Sequence, residues 1–375
     1  MVFGKCEVTV CGFGSEGGAR EAHLVAHIRC RGLSFREQCT ELLSAYRQAS
    51  AGLEGMVPVM ERYFLSDASA QQKELESMLG ERRCAVSIIE QPPLDGTKIA
   101  MLAVLQENAV VRRCDEQLFE VSHGAYRSFF SAGMRTSAGR TSRQQAKELL
   151  LDYCEKLGEY GCSLADNCVR TWFFVQNIDV NYAGVVTARN EVFSAQGLTG
   201  DTHFIASTGI GGRSADCREM VQMDACAICG LKPGQLRYLY AASHMNRTCE
   251  YGVSFERGAV VGFGDRRHVL VSGTASIDNR GCVVHKGDVR MQTLRMLENV
   301  GKLLEEAECT FDDVMHMIVY LRDVADYDVV AAMFAERFPD KPVQIVLAPV
   351  CRPDWLIEME CMAITADGDS RYECF

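Results

Sequence analysis

The chain has 375 residues, 47% hydrophobic and 24% charged, proportions of a folded globular protein too long for one ordinary domain. Its 39 Lys and Arg stand against 50 Asp and Glu, a net charge of −11 with no basic run to interrupt it, which disfavours nucleic acid as a partner. The longest apolar stretches, 100-AMLAVL-105 and 343-VQIVLAPV-350, are too short to span a bilayer, and the opening MVFGKCEVTV lacks the apolar run of a secretory signal, so a cytoplasmic protein with no membrane partner is expected.

From the N-terminus, KCEVTV reads as a strand and leads into 12-GFGSEG-17, a G-x-G-x-x-G pattern that makes a dinucleotide site only where a helix follows. The next segment, AREAHLVAHIRC, alternates nearly as well as it spirals, and no second strand ends in an acidic residue at the required distance, so no cofactor is expected. His23 and His27 lie one helical turn apart, but Leu24 stands where H-E-x-x-H carries its base, and no metal is expected. Residues 1–80 read as an extension, or as strands added to the module that follows.

Beyond them the chain repeats itself. The segment 143–193 resembles 290–338, one offset pairing Cys162 with Cys309, Asp166 with Asp313 and Asp179 with Asp326. Each copy opens with an amphipathic helix, carrying Leu149, Leu150, Tyr153 and Leu157 in the first and Leu294, Leu297, Val300, Leu303 and Leu304 in the second. A turn follows in which Ser163 or Thr310 offers an N-cap three residues before Asp166 or Asp313. Then come a β-rich run, RTWFFV or HMIVYL, an Asp-containing loop and a second helix. Strands at 85–93 and 99–105 are expected to precede the first copy, and 259–263 and 268–277 the second, which ends in 343–350 and 356–364. The β-β-α-β-α-β order predicts an α+β fold of two tandem modules, 81–235 and 236–375, each a mixed sheet with helices on one face.

The 18 cysteines are scattered through segments of good apolar periodicity, which predicts reduced, mostly buried thiols rather than a disulfide framework. The C-x-x-C at Cys226–Cys229 lacks the second pair that a zinc site needs. His244 and His316 read as surface or core histidines.

The second copy, from SGTASI through DVMHMIVYLRDVADY to LIEMECMAI, resembles the RidA/YjgF family, small modules that form trimers with ligand sites at their contacts. The segments 170-RTWFFV-175, 206-ASTGIGG-212, 250-EYGVSFERG-258, 272-SGTASI-277 and 351-CRPDWLIEME-360 together resemble those of chorismatases, two-module relatives that act on chorismate. The resemblance implies that Glu358 is the catalytic acid. In LIEMECMAI, Glu358 and Glu360 share one face of a strand, and a glutamate buried in a sheet beside a pocket should stay protonated near neutrality. Such an acid can protonate the enolpyruvyl ether of chorismate and release pyruvate, with neither metal nor cofactor.

The two carboxylates of that substrate call for arginines. Arg170, which alternates with Trp172 and Phe174, Arg257 beside Gly258, and Arg213 after the glycine turn are the candidates, with Tyr251 placed near substrate by the resemblance. Cys351 and Gly273 match the relatives that form 3-hydroxybenzoate. Pro342 and Val343 stand where RidA-type imine deaminases carry their substrate arginine, which weakens a deaminase reading; a non-catalytic binding module is the other alternative. The expected assembly is a monomer or a homo-oligomer, a trimer included, with Arg170 reaching across the contact between modules.

Overall fold

The computed structural model describes residues 1–15 and 18–375. Its backbone forms three six-stranded mixed sheets, each with its own helices. The first sheet contains β1 (Val2–Phe3), β2 (Cys6–Phe13), β3 (Glu21–Ile28), β4 (Met56–Leu65), β5 (Ala85–Glu90) and β6 (Ile99–Glu107), with helices α1 (Phe35–Ala51) and α2 (Ala68–Leu79). The second contains β7 (Val110–Arg113), β8 (Leu118–His123), β9 (Tyr126–Arg135), β10 (Cys168–Val175), β11 (Ala206–Gly211) and β12 (Val221–Cys229), with α3 (Ser142–Glu159), α4 (Leu164–Asn167) and α5 (Ile178–Ala195). The third contains β13 (Leu236–Leu239), β14 (Gly258–Gly262), β15 (Arg267–Ala275), β16 (Val314–Leu321), β17 (Val343–Leu347) and β18 (Ile357–Thr365), with α6 (Val289–Glu306) and α7 (Tyr327–Arg337).

All three sheets share one topology. Three antiparallel strands lead into a helix, the fourth and fifth strands pair in parallel, and the sixth inserts between the third and fourth. The two expected modules are therefore preceded by a third unit of the same build. The strands at 85–93 and 99–105 belong to that unit and not to the first copy: β5 pairs with β4, and β6 lies between β3 and β4. Within 12-GFGSEG-17, Glu16 and Gly17 lie outside the described residues, while Gly12 and Phe13 end β2 and the following segment is the antiparallel strand β3 rather than a helix.

Local chemistry sets the element ends. Ser34 and Glu37 close a capping box on α1, and Thr141 and Asp288 cap α3 and α6 through their side chains. Ser163 and Thr310 cap as expected, but each starts only a single turn before its strand begins. The apolar stripes of α3 and α6 face their sheets, except that Leu294 is 45% exposed. Most cysteines are free thiols, as expected, but Cys229 of the C-x-x-C bonds to Cys162, because the turn after α3 meets the end of β12.

The units meet in a ring: β5 packs on β9, β11 on β15, and β16 on β2 and β3. Buried charges fill the centre. Arg62 of the first unit donates to Asp224 of the second at 2.9 Å and lies 3.7 Å from Glu360 of the third. Arg170 of the second unit donates to Glu360 at 2.8 Å, as does Trp172 Nε1 at 2.8 Å, and both guanidinium groups stack 4.7 Å from the Trp172 ring. His23 and His316 join the first and third units through a 2.6 Å Nδ1–Nδ1 hydrogen bond. Removing one partner of such a pair strands the other charge in a dry interior, so Arg62→Ala should lower unfolding stability by about 3–5 kcal/mol in urea titrations. Arg213→Ala breaks a part-exposed pair with Glu90 and should cost less than about 1 kcal/mol.

Candidate active site

The contact between the second and third units encloses a cavity of about 140 Å³. The second unit contributes Tyr182 and Arg189 from α5 and Ser207 and Gly209 from β11; the third contributes the 251–257 loop, the end of β15, the 351–355 loop and Glu358 at the start of β18.

Glu358 is fixed by its strand, opposite Ala275 of β15 and Tyr320 of β16. It is 5% exposed, and its carboxyl accepts no hydrogen bond from any of the described residues. Burial pushes its pKa up to about 8, helped by the neighbouring charge of Glu360 and opposed by Arg257 and Arg170. Near neutrality burial therefore favours the protonated form of this carboxyl. Gly273 makes this packing possible: a Cβ there would collide with a Glu358 carboxyl oxygen and lie 3.0 Å from Thr208 Cγ2.

Cations line the rest of the cleft. Arg257, 4% exposed, donates to Tyr251 Oη at 3.0 Å and to the Asn246 carbonyl at 3.1 Å. Arg352 stacks 4.9 Å from the Tyr251 ring and 4.7 Å from Trp355. Arg189 is 1% exposed, packs against Phe173 and Phe255, and leaves Nε and Nη2 without a partner among the described residues. None of these three guanidinium groups forms an ion pair with an acid among the described residues. Arg189 and Arg257 are buried and Arg352 is half-buried, and a guanidinium held out of water without an acid is costly unless an anion joins it. Cys351 also lines the cleft, its thiol pushed up to about 12 by burial first and then by the charge of Glu358.

The structure brings together Glu358, Tyr251, Arg257, Gly273 and Cys351. Arg170 lies elsewhere. Its strand turns it toward the ring centre, where Glu360 holds it, and it meets the cleft only through Thr208, whose Oγ1 accepts both from Arg170 and from Gly273 N at 2.9 Å. Arg213 is at the contact between the first and second units, 2.6 Å from Glu90. The sequence reading missed Arg189, Arg352 and Tyr182. Arg352 stands within the C-R-P segment that drew notice to Cys351, and Arg189 follows Tyr182 by two helical turns on an otherwise apolar face of α5.

Comparison with known proteins bears on both the third unit and the whole chain. The family described as Endoribonuclease L-PSP matches residues 258–365. A RutC family protein of Pyrococcus abyssi is 36% identical over 97 residues, 25% of this chain and 76% of its own. The 3-aminoacrylate deaminase RutC of Acinetobacter baylyi is 37% identical over 97 residues, 25% of this chain and 77% of its own. The crystal structure of a chorismatase superposes with a TM-score of 0.65 at 19% identity, covering 82% of this chain and 92% of that one, a likeness of fold that reaches well beyond the third unit. Through that unit, whose sheet supplies Glu358, the chain belongs to the RutC family.

Proposed function

We propose that this protein is a chorismatase-type enzyme that removes the enolpyruvyl group of chorismate as pyruvate. One observation carries the reading: the buried Glu358 carboxyl shares one cleft with three arginines that no acid among the described residues pairs, and its burial favours the protonated form. Chorismate offers a carboxylate on its ring, a second on its side chain and an enol ether between them. Arg257, Arg189 and Arg352 hold the carboxylates, and Tyr251, which touches both Arg257 and Arg352, positions those two groups.

Glu358 gives its proton to the terminal methylene of the enol ether. The adjacent carbon becomes an oxocarbenium-like centre, and the guanidinium groups fix the substrate without needing to move during the step. Capture of that centre by water gives a hemiketal that collapses to pyruvate and a dihydroxycyclohexadiene acid. When a ring hydroxyl takes part in place of water, the ring aromatises to 3-hydroxybenzoate and no water is consumed. Cys351 and Gly273, which line the cleft with Glu358, support the second outcome because both match the relatives that form 3-hydroxybenzoate.

The deaminase alternative lacks its arginine: Val343 opens β17 opposite Met317 and is absent from the cleft. A homo-oligomer is not needed to complete the site, since both of its walls come from one chain.

Incubation with chorismate should release pyruvate, followed by a coupled lactate dehydrogenase assay. Glu358→Gln should lose about 10²- to 10⁴-fold in kcat while still binding substrate. Pyruvate release equal to wild type would exclude Glu358 as the acid. Since the acid must be protonated, kcat/KM should be level below pH of about 8 and fall about tenfold per pH unit above it. Arg189→Met should reduce kcat/KM roughly 10- to 100-fold, mainly through KM. Cys351→Ala should divert product from 3-hydroxybenzoate toward the dihydroxycyclohexadiene acid, read by chromatography; an unchanged product ratio would remove the cysteine from product control.

A further inference from the structure

A second cavity opens on the outer side of the first unit, between its helices and its sheet, with a volume of about 590 Å³. Its lining differs in kind from the equivalent places in the other units. Counting back from the ends of β4, β10 and β16, Glu61 occupies the position of Thr171 and Met317, and Tyr63 that of Phe173 and Val319. Positions that hold buried, uncharged residues elsewhere thus carry a carboxylate and a phenol here.

Glu61 is 9% exposed. One of its oxygens accepts from Tyr46 Oη at 2.9 Å and the other from Tyr63 Oη at 2.7 Å. Burial and that neighbouring carboxylate push both hydroxyls well up, so both remain donors. Among the described residues no Lys, Arg or His lies within ion-pair distance of Glu61. The Cys84 thiol also lies against it. All three neighbours are neutral, and a buried carboxylate without a cation is costly. The balance of charge at the mouth is positive. Arg47 and Arg83 are exposed and unpaired among the described residues, Arg82 leans on Glu76 at 3.5 Å, and the exposed Glu81 is the one acid beside them in the lining. The walls between floor and mouth are Leu43, Pro58 and Val86.

This sequence of charges selects the ligand. A simple amine would be repelled by the arginines on entry, and a simple anion by Glu61 at the floor. We propose that the first unit is a binding site for an apolar α-amino acid, its ammonium on Glu61, its carboxylate toward Arg47, Arg82 and Arg83, and its side chain against the apolar walls. The site is separate from the cleft at Glu358, shares no residue with it, and stands whether or not chorismate is the substrate there.

Isothermal titration of the full-length protein with each standard L-amino acid tests this. At least one apolar member should bind saturably, and its 2-hydroxy acid analogue, which lacks the ammonium, should not. Glu61→Gln should weaken that binding about 10- to 100-fold while leaving pyruvate release from chorismate unchanged. Arg47→Glu with Arg83→Glu, both at exposed positions, should weaken it as well, which keeps the test decisive if the Glu61 variant folds poorly. Failure of every amino acid to bind, equal binding of the hydroxy acid, or full affinity in the arginine variant would each overturn the proposal.

Discussion

The ring closes around Glu360. This one carboxylate accepts from Arg170, Trp172 and Thr208 of the second unit and lies beside Arg62 of the first, while its own strand belongs to the third. Arg62 is committed in turn to Asp224, whose other oxygen accepts from Gly133 N at 2.7 Å. A network of this kind repays the desolvation of its charges only when each member is satisfied, so it tolerates little displacement of one sheet against another. Apolar packing holds each helix to its sheet; the charges at the centre specify how the sheets meet.

That constraint reaches the cleft by a short route. Thr208 Oγ1 contacts Glu360 on one side and accepts Gly273 N on the other, and Gly273 is the residue whose missing side chain leaves room for the Glu358 carboxyl. The same Glu360 is two residues from Glu358 on β18, so its fixed negative charge adds to burial in keeping Glu358 protonated. Arg170, expected from sequence to touch substrate, instead neutralises Glu360 from behind. Structure and acidity at the cleft therefore depend on the same buried ions.

What could be read from the sequence follows from what repeats in it. The second and third units kept the cap residues Ser163 and Thr310 and the acids after them, and their likeness was visible. The first unit keeps the topology but carries Glu61, Arg62 and Tyr63 where the second has Thr171, Trp172 and Phe173, so its strands at 85–90 and 99–107 were assigned to the wrong sheet. Glu358, Arg257, Tyr251, Gly273 and Cys351 were legible because strand alternation and local resemblance place them without knowledge of the fold. Arg189 was not, because a lone arginine on an apolar helix face becomes meaningful only when a second unit closes over it and leaves its nitrogens unpaired. Arg170 and Arg213 illustrate the converse: alternation gave the face of each strand, but which sheet covers that face is a long-range fact.

Fusing three units into one chain also allows their contacts to diverge. The penultimate residues of β4, β10 and β16 are Phe64, Phe174 and Tyr320, and the residues paired with them are Ala100, Gln222 and Glu358. Ala100 has no side chain that can exchange a proton. Gln222 is buried against Ser87 at 3.3 Å, an amide at the place where the third unit keeps an acid. The cations follow the same asymmetry, since Arg257 and Arg352 come from loops of the third unit and Arg189 from the helix that faces them. In an assembly of identical modules every contact must carry the same residues, and each would bear the cost of a buried acid and unpaired guanidinium groups. Here the unpaired guanidinium groups gather at one contact, and the other two contacts carry charges that are paired, Arg62 with Asp224 and Arg213 with Glu90 at one and Arg266 with Glu21 at the other.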